Sequence, residues 1–135
     1  MTGPAQTQGL DHLGLTVKDL EETTAFFEDV LGWTVQARDP SYPRTTVSDG
    51  QVRLTLWQVQ IDDPAPFDRK TGLGLHHLAL RVESEARLNA LAQTLAETDG
   101  VVIEFAPEWM GQGPRKHMMF AEPGGLRIEL LWSGE

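Results

Sequence analysis

Residues 11–17, DHLGLTV, alternate polar and apolar positions with the two-residue period of a half-buried strand. The next stretch, DLEETTAFFEDVLGW, changes period. Leu20, Phe27, Val30 and Leu31 share one helical face, Asp19 caps it with Glu22 three residues on, and Gly32 stops it, so a helix of about three turns is expected. TVQARD at 34–39, RTTVS at 44–48 and QVRLTLWQV at 51–59 then read as strands, with SDG at 48–50 as a turn.

The same order returns in the second half of the chain. HHLALRV at 76–82 matches DHLGLTV, placing His77 on His12, Leu78 on Leu13 and Val82 on Val17. Ser84 is placed to cap a second helix in which Leu88, Leu91 and Leu95 form the stripe and Gly100 the stop. VVIEFA at 101–106, HMMFA at 117–121 and LRIELLW at 126–132 follow as strands, with EPGG at 122–125 as the last turn. The reading is one α+β domain over 1–135, made of two tandem βαβββ modules at 9–60 and 73–133. A proline-bearing linker at 61–72 joins them, and the curled mixed sheets are expected to surround a metal-binding cavity.

Alternation assigns the side chains to faces. His12, Gly14 and Thr16 oppose Leu13, Leu15 and Val17; His77, Ala79 and Arg81 oppose Leu78, Leu80 and Val82; Arg127, Glu129 and Leu131 oppose Ile128, Leu130 and Trp132. The apolar faces must meet the helices, which turns two histidines and a glutamate the other way. Ionisable groups aimed into a concavity are costly unless compensated, and one divalent cation compensates all three. Imidazole and carboxylate ligands suit iron, manganese, zinc, nickel or cobalt better than calcium. Unrelated polar residues produce similar patterns; the matching register of His12 and His77 is what separates this set from them. His76 breaks that register and is expected to face the opposite way.

Composition narrows the partners. Without cysteine, no disulfide or thiolate site is available. A net charge of -9 without clustered Lys or Arg disfavours nucleic acid and anionic membranes, leaving a small molecule as the expected partner. No apolar run resembles a signal peptide or a membrane span, so a cytoplasmic protein is expected.

With two βαβββ modules, strand-borne DHLGLTV and HHLALRV, and a terminal EPGGLRIELLW, residues 9–133 resemble the vicinal oxygen chelate superfamily of glyoxalases, bleomycin-resistance proteins and extradiol dioxygenases. The resemblance implies His12, His77 and Glu129 as ligands of a divalent metal, and a substrate that chelates it through two adjacent oxygens. It also implies a homodimer in which each site combines halves of two chains. Two departures bear on the reaction. Thr55 stands where glyoxalases and epimerases carry a fourth ligand, and Met119 stands where ring-cleaving and fosfomycin-modifying relatives carry a tyrosine. The resemblance still implies a metal-dependent glyoxalase-like or dioxygenase-like reaction, its exact type unassigned, with a drug- or metabolite-sequestering binding protein as the alternative.

Arg53, Thr55, Trp57, Met119 and Arg127 share the inward faces and are candidate substrate contacts. Glu129 and His117 are candidate catalytic groups, His117 as general acid or base, or else as an exposed strand histidine. Arg115 and Lys116 lie in a Gly-Pro loop that either closes over an anion or is simply solvated. Trp109 and Met110 before it are candidate lid residues.

Overall fold

The computed structural model describes residues 3–135. The first module contains β1 (Leu13–Val17), α1 (Leu20–Ala25), β2 (Thr34–Asp39), β3 (Arg44–Ser48) and β4 (Arg53–Gln58). The second contains β5 (Leu78–Val82), α2 (Glu85–Ala96), β6 (Val102–Trp109), β7 (Lys116–Ala121) and β8 (Arg127–Trp132). Each forms a four-stranded mixed sheet, in the order β1-β4-β3-β2 and β5-β8-β7-β6. Strands β1 and β4, and likewise β5 and β8, run parallel, while the other neighbours run antiparallel. The sheets are curled but not closed, and β6 is bent by two irregularities, between Ile103 and Phe105 and between Phe105 and Glu108. No helix among the described residues is long and apolar enough to cross a membrane.

Both helices begin where their caps place them. Asp19 Oδ1 accepts the Glu22 N–H at 3.0 Å and Ser84 Oγ accepts the Arg87 N–H at 3.0 Å, each satisfying a donor that the helix itself leaves free. The first helix is not regular to its end. After Ala25 it widens into a π-helical turn over Phe26–Val30, with Leu31 N–H reaching back to Phe26 C=O. The wider turn accommodates two consecutive buried rings, Phe26 and Phe27, packed edge to face. An ideal helical stripe admits only the second.

The apolar faces assigned by alternation form one core that spans both modules. Leu15, Val17, Val47, Leu54 and Leu56 from the first sheet join Met118, Phe120, Ile128 and Leu130 from the second, with Phe26, Phe27, Leu88 and Leu95 between them. Across the module boundary Phe26 meets Phe120 at 5.8 Å between ring centroids, and Thr23 donates its hydroxyl to Glu122 at 3.0 Å. The modules therefore meet through their helix-bearing faces. Within a single chain the ligand-bearing faces thus do not turn toward each other to enclose a cavity. Burying the leucine and phenylalanine faces of both modules together removes more apolar surface from water than burying faces lined with Thr, Arg and His would.

Candidate metal centre

The register makes the two modules directly comparable. Gly14 pairs with Thr55 on β1 and β4, as Ala79 pairs with Glu129 on β5 and β8, so Thr55 and Glu129 occupy one position in two copies. His12 and His77 sit one residue before β1 and β5.

On the second module the strands gather an ionisable group around Glu129, which is only 5% exposed. Its Oε1 lies 3.2 Å from His77 Nε2, and its Oε2 lies 2.6 Å from His117 Nδ1. His117 is held diagonally to Glu129 across β7 and β8, because Met119 is the residue directly opposite Glu129. The His117 ring packs on Phe105 at 4.9 Å, and its Nε2 faces Glu108 at 3.9 Å. His117 is thus part of the cluster and not an exposed strand residue. Met119 is buried beside it.

Arg127 is buried on the same face, but its donors are already engaged. It forms a two-pronged pair with Glu104 at 2.9 and 2.8 Å, and its Nη1 lies 3.3 Å from His76 Nδ1. Hydrogen bonding from Arg127 holds the Glu104 carboxyl below the usual glutamate range, and the Glu104 carboxylate raises Arg127. A carboxyl with a lowered folded-state pKa contributes stability that is complete above the ordinary glutamate range and lost as pH falls through the lowered value. Glu104→Gln is therefore expected to destabilise the protein at neutral pH by about 1 kcal/mol or less, given the partial exposure of the pair. The urea-unfolding free energies of wild type and variant should converge as pH falls below the glutamate range.

His76 departs from its expected position. It stacks against His77 with ring centroids 5.0 Å apart, and the two Nδ1 atoms lie 2.7 Å apart. His76 lies at a bend two residues before β5, where the backbone has left the extended path and alternation no longer sets its direction. Loss of hydration, then the neighbouring Arg127 charge, lower its pKa. Glu104 and His76 were the two members of this network that sequence reasoning missed. The irregularities in β6 remove the parity by which Glu104 could have been found.

The first module presents a sparser face. His12 Nδ1 lies 2.7 Å from Asp11, whose other oxygen accepts from Arg53 at 2.9 Å. The His12 hydrogen bond, and then the Arg53 charge, lower the Asp11 carboxyl. His12 Nε2 is left outside that pairing, on a side chain that is 54% exposed. Thr55 is buried on the floor, and the Trp57 indole lies over Gly14, so that a Cβ there would meet its Nε1 at 3.5 Å. Tyr42 packs edge to face on Trp57 at 4.9 Å and Arg44 stands over the same ring at 5.6 Å. Arg44 stands directly opposite Trp57 in the β3–β4 register, whereas Tyr42 was not visible from strand alternation, since it lies in the β2–β3 connection.

The residues at the tip of β6 and β7 do not form a lid over this face. Trp109 packs on Lys116 at 4.5 Å, and Lys116 pairs with Glu85 at the start of α2, so both side chains lie on the helix side of the sheet. Glu108 and His117, one register position away, are the ones that face the site.

Among the described residues no three His, Asp or Glu side chains are grouped so as to hold a metal ion. One chain brings His77 and Glu129 together and leaves His12 on another outward face. The donor chemistry of that pair nevertheless fits a divalent cation. Two groups that act as acceptors when unprotonated face each other at 3.2 Å, and ligand distances of about 2.1 Å place two adjacent ligand atoms roughly 3.0–3.4 Å apart. His77 and Glu129 are the residues of this face that would hold the metal.

Comparison with known proteins agrees with this architecture. The chain is similar to the 2-epi-5-epi-valiolone epimerase of an Actinomyces species, at 28% identity over 143 residues covering 89% of this chain and 76% of that protein. It superposes on the glyoxylase/bleomycin resistance protein/dioxygenase domain from Frankia sp. EAN1pec with a TM-score of 0.80, at 23% identity over 95% of this chain and 93% of that one. The fosfomycin resistance protein FosX from Listeria monocytogenes shares the fold at a TM-score of 0.74 and 19% identity, covering 94% of each chain. A family model also matches residues 9–130, spanning both modules, and on that match the chain belongs to the Glyoxalase/Bleomycin resistance protein/Dioxygenase superfamily.

Proposed function

We propose that the protein is a divalent-metal-dependent enzyme acting on a small substrate that chelates the metal through two adjacent oxygens, with proton transfer as its chemical step. The approach of His77 Nε2 to Glu129 Oε1 on the face turned away from the helices carries this reading. The metal would supply Lewis acidity toward the substrate oxygens. The protein's own residues do the rest. Thr55 and Trp57 on the first-module face and Met119 on the second-module face would contact the substrate, Arg53 anchors Asp11 beside His12, and Glu129 turns one oxygen to His77 and the other to His117. His117 donates from Nδ1 to Glu129, which leaves its Nε2, on the side of Glu108, as the atom placed to take up or return a proton. Similarity to an epimerase, whose reaction inverts a stereocentre, supports proton transfer over ring cleavage.

The third ligand, His12, is supplied in this reading by a second copy of the chain. Both half-sites lie on outward faces because the helix-bearing faces are used up inside the chain. A homodimer pairing the first-module face of one copy with the second-module face of the other completes two sites.

Metal analysis of protein purified without chelator tests the enzyme reading. One divalent ion per site is expected, with His12→Ala, His77→Ala and Glu129→Ala each losing it. Absence of stoichiometric metal, together with unchanged added-metal affinity in those variants, would leave a metabolite- or drug-sequestering protein instead. The shared site has its own check. A mixed dimer of His12→Ala and Glu129→Ala chains should regain one intact metal site of two, whereas recovery of none would place the site within one chain.

A further inference from the structure

The direction of the hydrogen bonds behind His77 follows from one residue that cannot change role. Arg127 is always a donor, because its guanidinium stays protonated and has no lone pair to offer. Its Nε and one Nη bind Glu104, which fixes the plane of the group, and the other Nη meets His76 Nδ1 at 3.3 Å. A nitrogen facing that donor must accept, so His76 carries its proton on Nε2. His77 Nδ1 lies 2.7 Å from the same His76 nitrogen and must then be the donor. A neutral imidazole with its proton on Nδ1 has its lone pair on Nε2, and His77 Nε2 is the atom facing Glu129 at 3.2 Å.

We propose that Glu104, Arg127 and His76 form a hydrogen-bond relay that sets the tautomer of His77, presenting Nε2 as the ligating atom. This rests on the reading of His77 as a metal ligand. His76 and Arg127 are positioning residues in it. Arg127, which alternation alone offers as a substrate contact, is committed to the support of a ligand. Partners of this kind behind a ligating imidazole are generally worth 10–100-fold in metal affinity.

Two measurements keep this relay distinguishable from the metal reading itself. Long-range 1H–15N correlation spectra of metal-free wild-type protein at alkaline pH should show His77 protonated on Nδ1 and His76 protonated on Nε2. A His77 with bare Nδ1 would overturn the relay whether or not the protein binds metal. Zinc titration should then show His76→Phe binding about 10–100-fold more weakly than wild type. His76→Asn, whose side-chain oxygen takes the acceptor position of Nδ1, should restore most of that affinity. Equal affinity in His76→Phe and wild type, or a loss that His76→Asn does not rescue, would overturn the relay. Failure of wild-type protein to bind zinc at all would instead overturn the metal reading, with the tautomer spectrum still deciding the hydrogen-bond order. Urea unfolding of both variants checks that the loss is not a general destabilisation.

Discussion

Glu122→Ala is expected to lower the unfolding free energy by about 4 kcal/mol. Glu122 is 2% exposed, and its carboxylate collects three donors: the Thr23 hydroxyl at 3.0 Å, the Gly124 N–H at 2.9 Å and the Leu126 N–H at 3.0 Å. Alanine would leave all three without their partner, at about 1–3 kcal/mol for each donor that water does not reach. The turn is built around this carboxylate. A Cβ on Gly124 would come within 2.8 Å of both Glu122 Oε1 and Thr23 Oγ1, and Gly125 takes φ +94° to complete the reversal. Urea unfolding checks the magnitude, and Thr23→Val serves as the graded control, since it removes one donor and should cost roughly 1 kcal/mol. A Glu122→Ala loss no larger than that of Thr23→Val would mean that the carboxylate is not the centre of this turn.

Phe120→Ala is expected to cost about 3–5 kcal/mol, because the ring is fully buried and its removal leaves a cavity that strands on both sides hold open. Its diagnostic value lies in its neighbour. Phe120 belongs to β7 of the second module, and Phe26, 5.8 Å away, follows α1 of the first. A double-mutant cycle of Phe120→Ala with Phe26→Leu should therefore show coupling of about 0.5–1.5 kcal/mol. Additive effects would mean that the modules do not meet through these faces in solution, and the outward placement of both half-sites would fall with them.

Much of this architecture was legible because the physical rules involved are local. The bounds of β2 and β3 follow from alternation and turn chemistry alone, and Asp19 and Ser84 cap the helices they were expected to cap. The equivalence of Thr55 and Glu129 was visible in the repeat and returns as a shared register position. Where locality ends, so does legibility. The π-helical turn depends on two phenylalanines finding room in a core shared by both modules, and the Glu104–Arg127 pair depends on strand irregularities that shift parity. His76 lies just before its strand, where backbone alternation no longer dictates side-chain direction.

The sequence by itself determined the two-module α+β plan and the division of each sheet into an apolar and a polar face, and it supplied the three residue positions proposed as metal ligands. These follow from periodicity and repetition, which any one strand or helix expresses without its neighbours. Only the tertiary structure decided which faces meet. Burial of both helix-bearing faces in one core places His77 and Glu129 3.2 Å apart and leaves His12 on a separate outward face. Hydrophobic patterning states that a face is buried but not against what, because burial in water is non-directional and any apolar partner satisfies it.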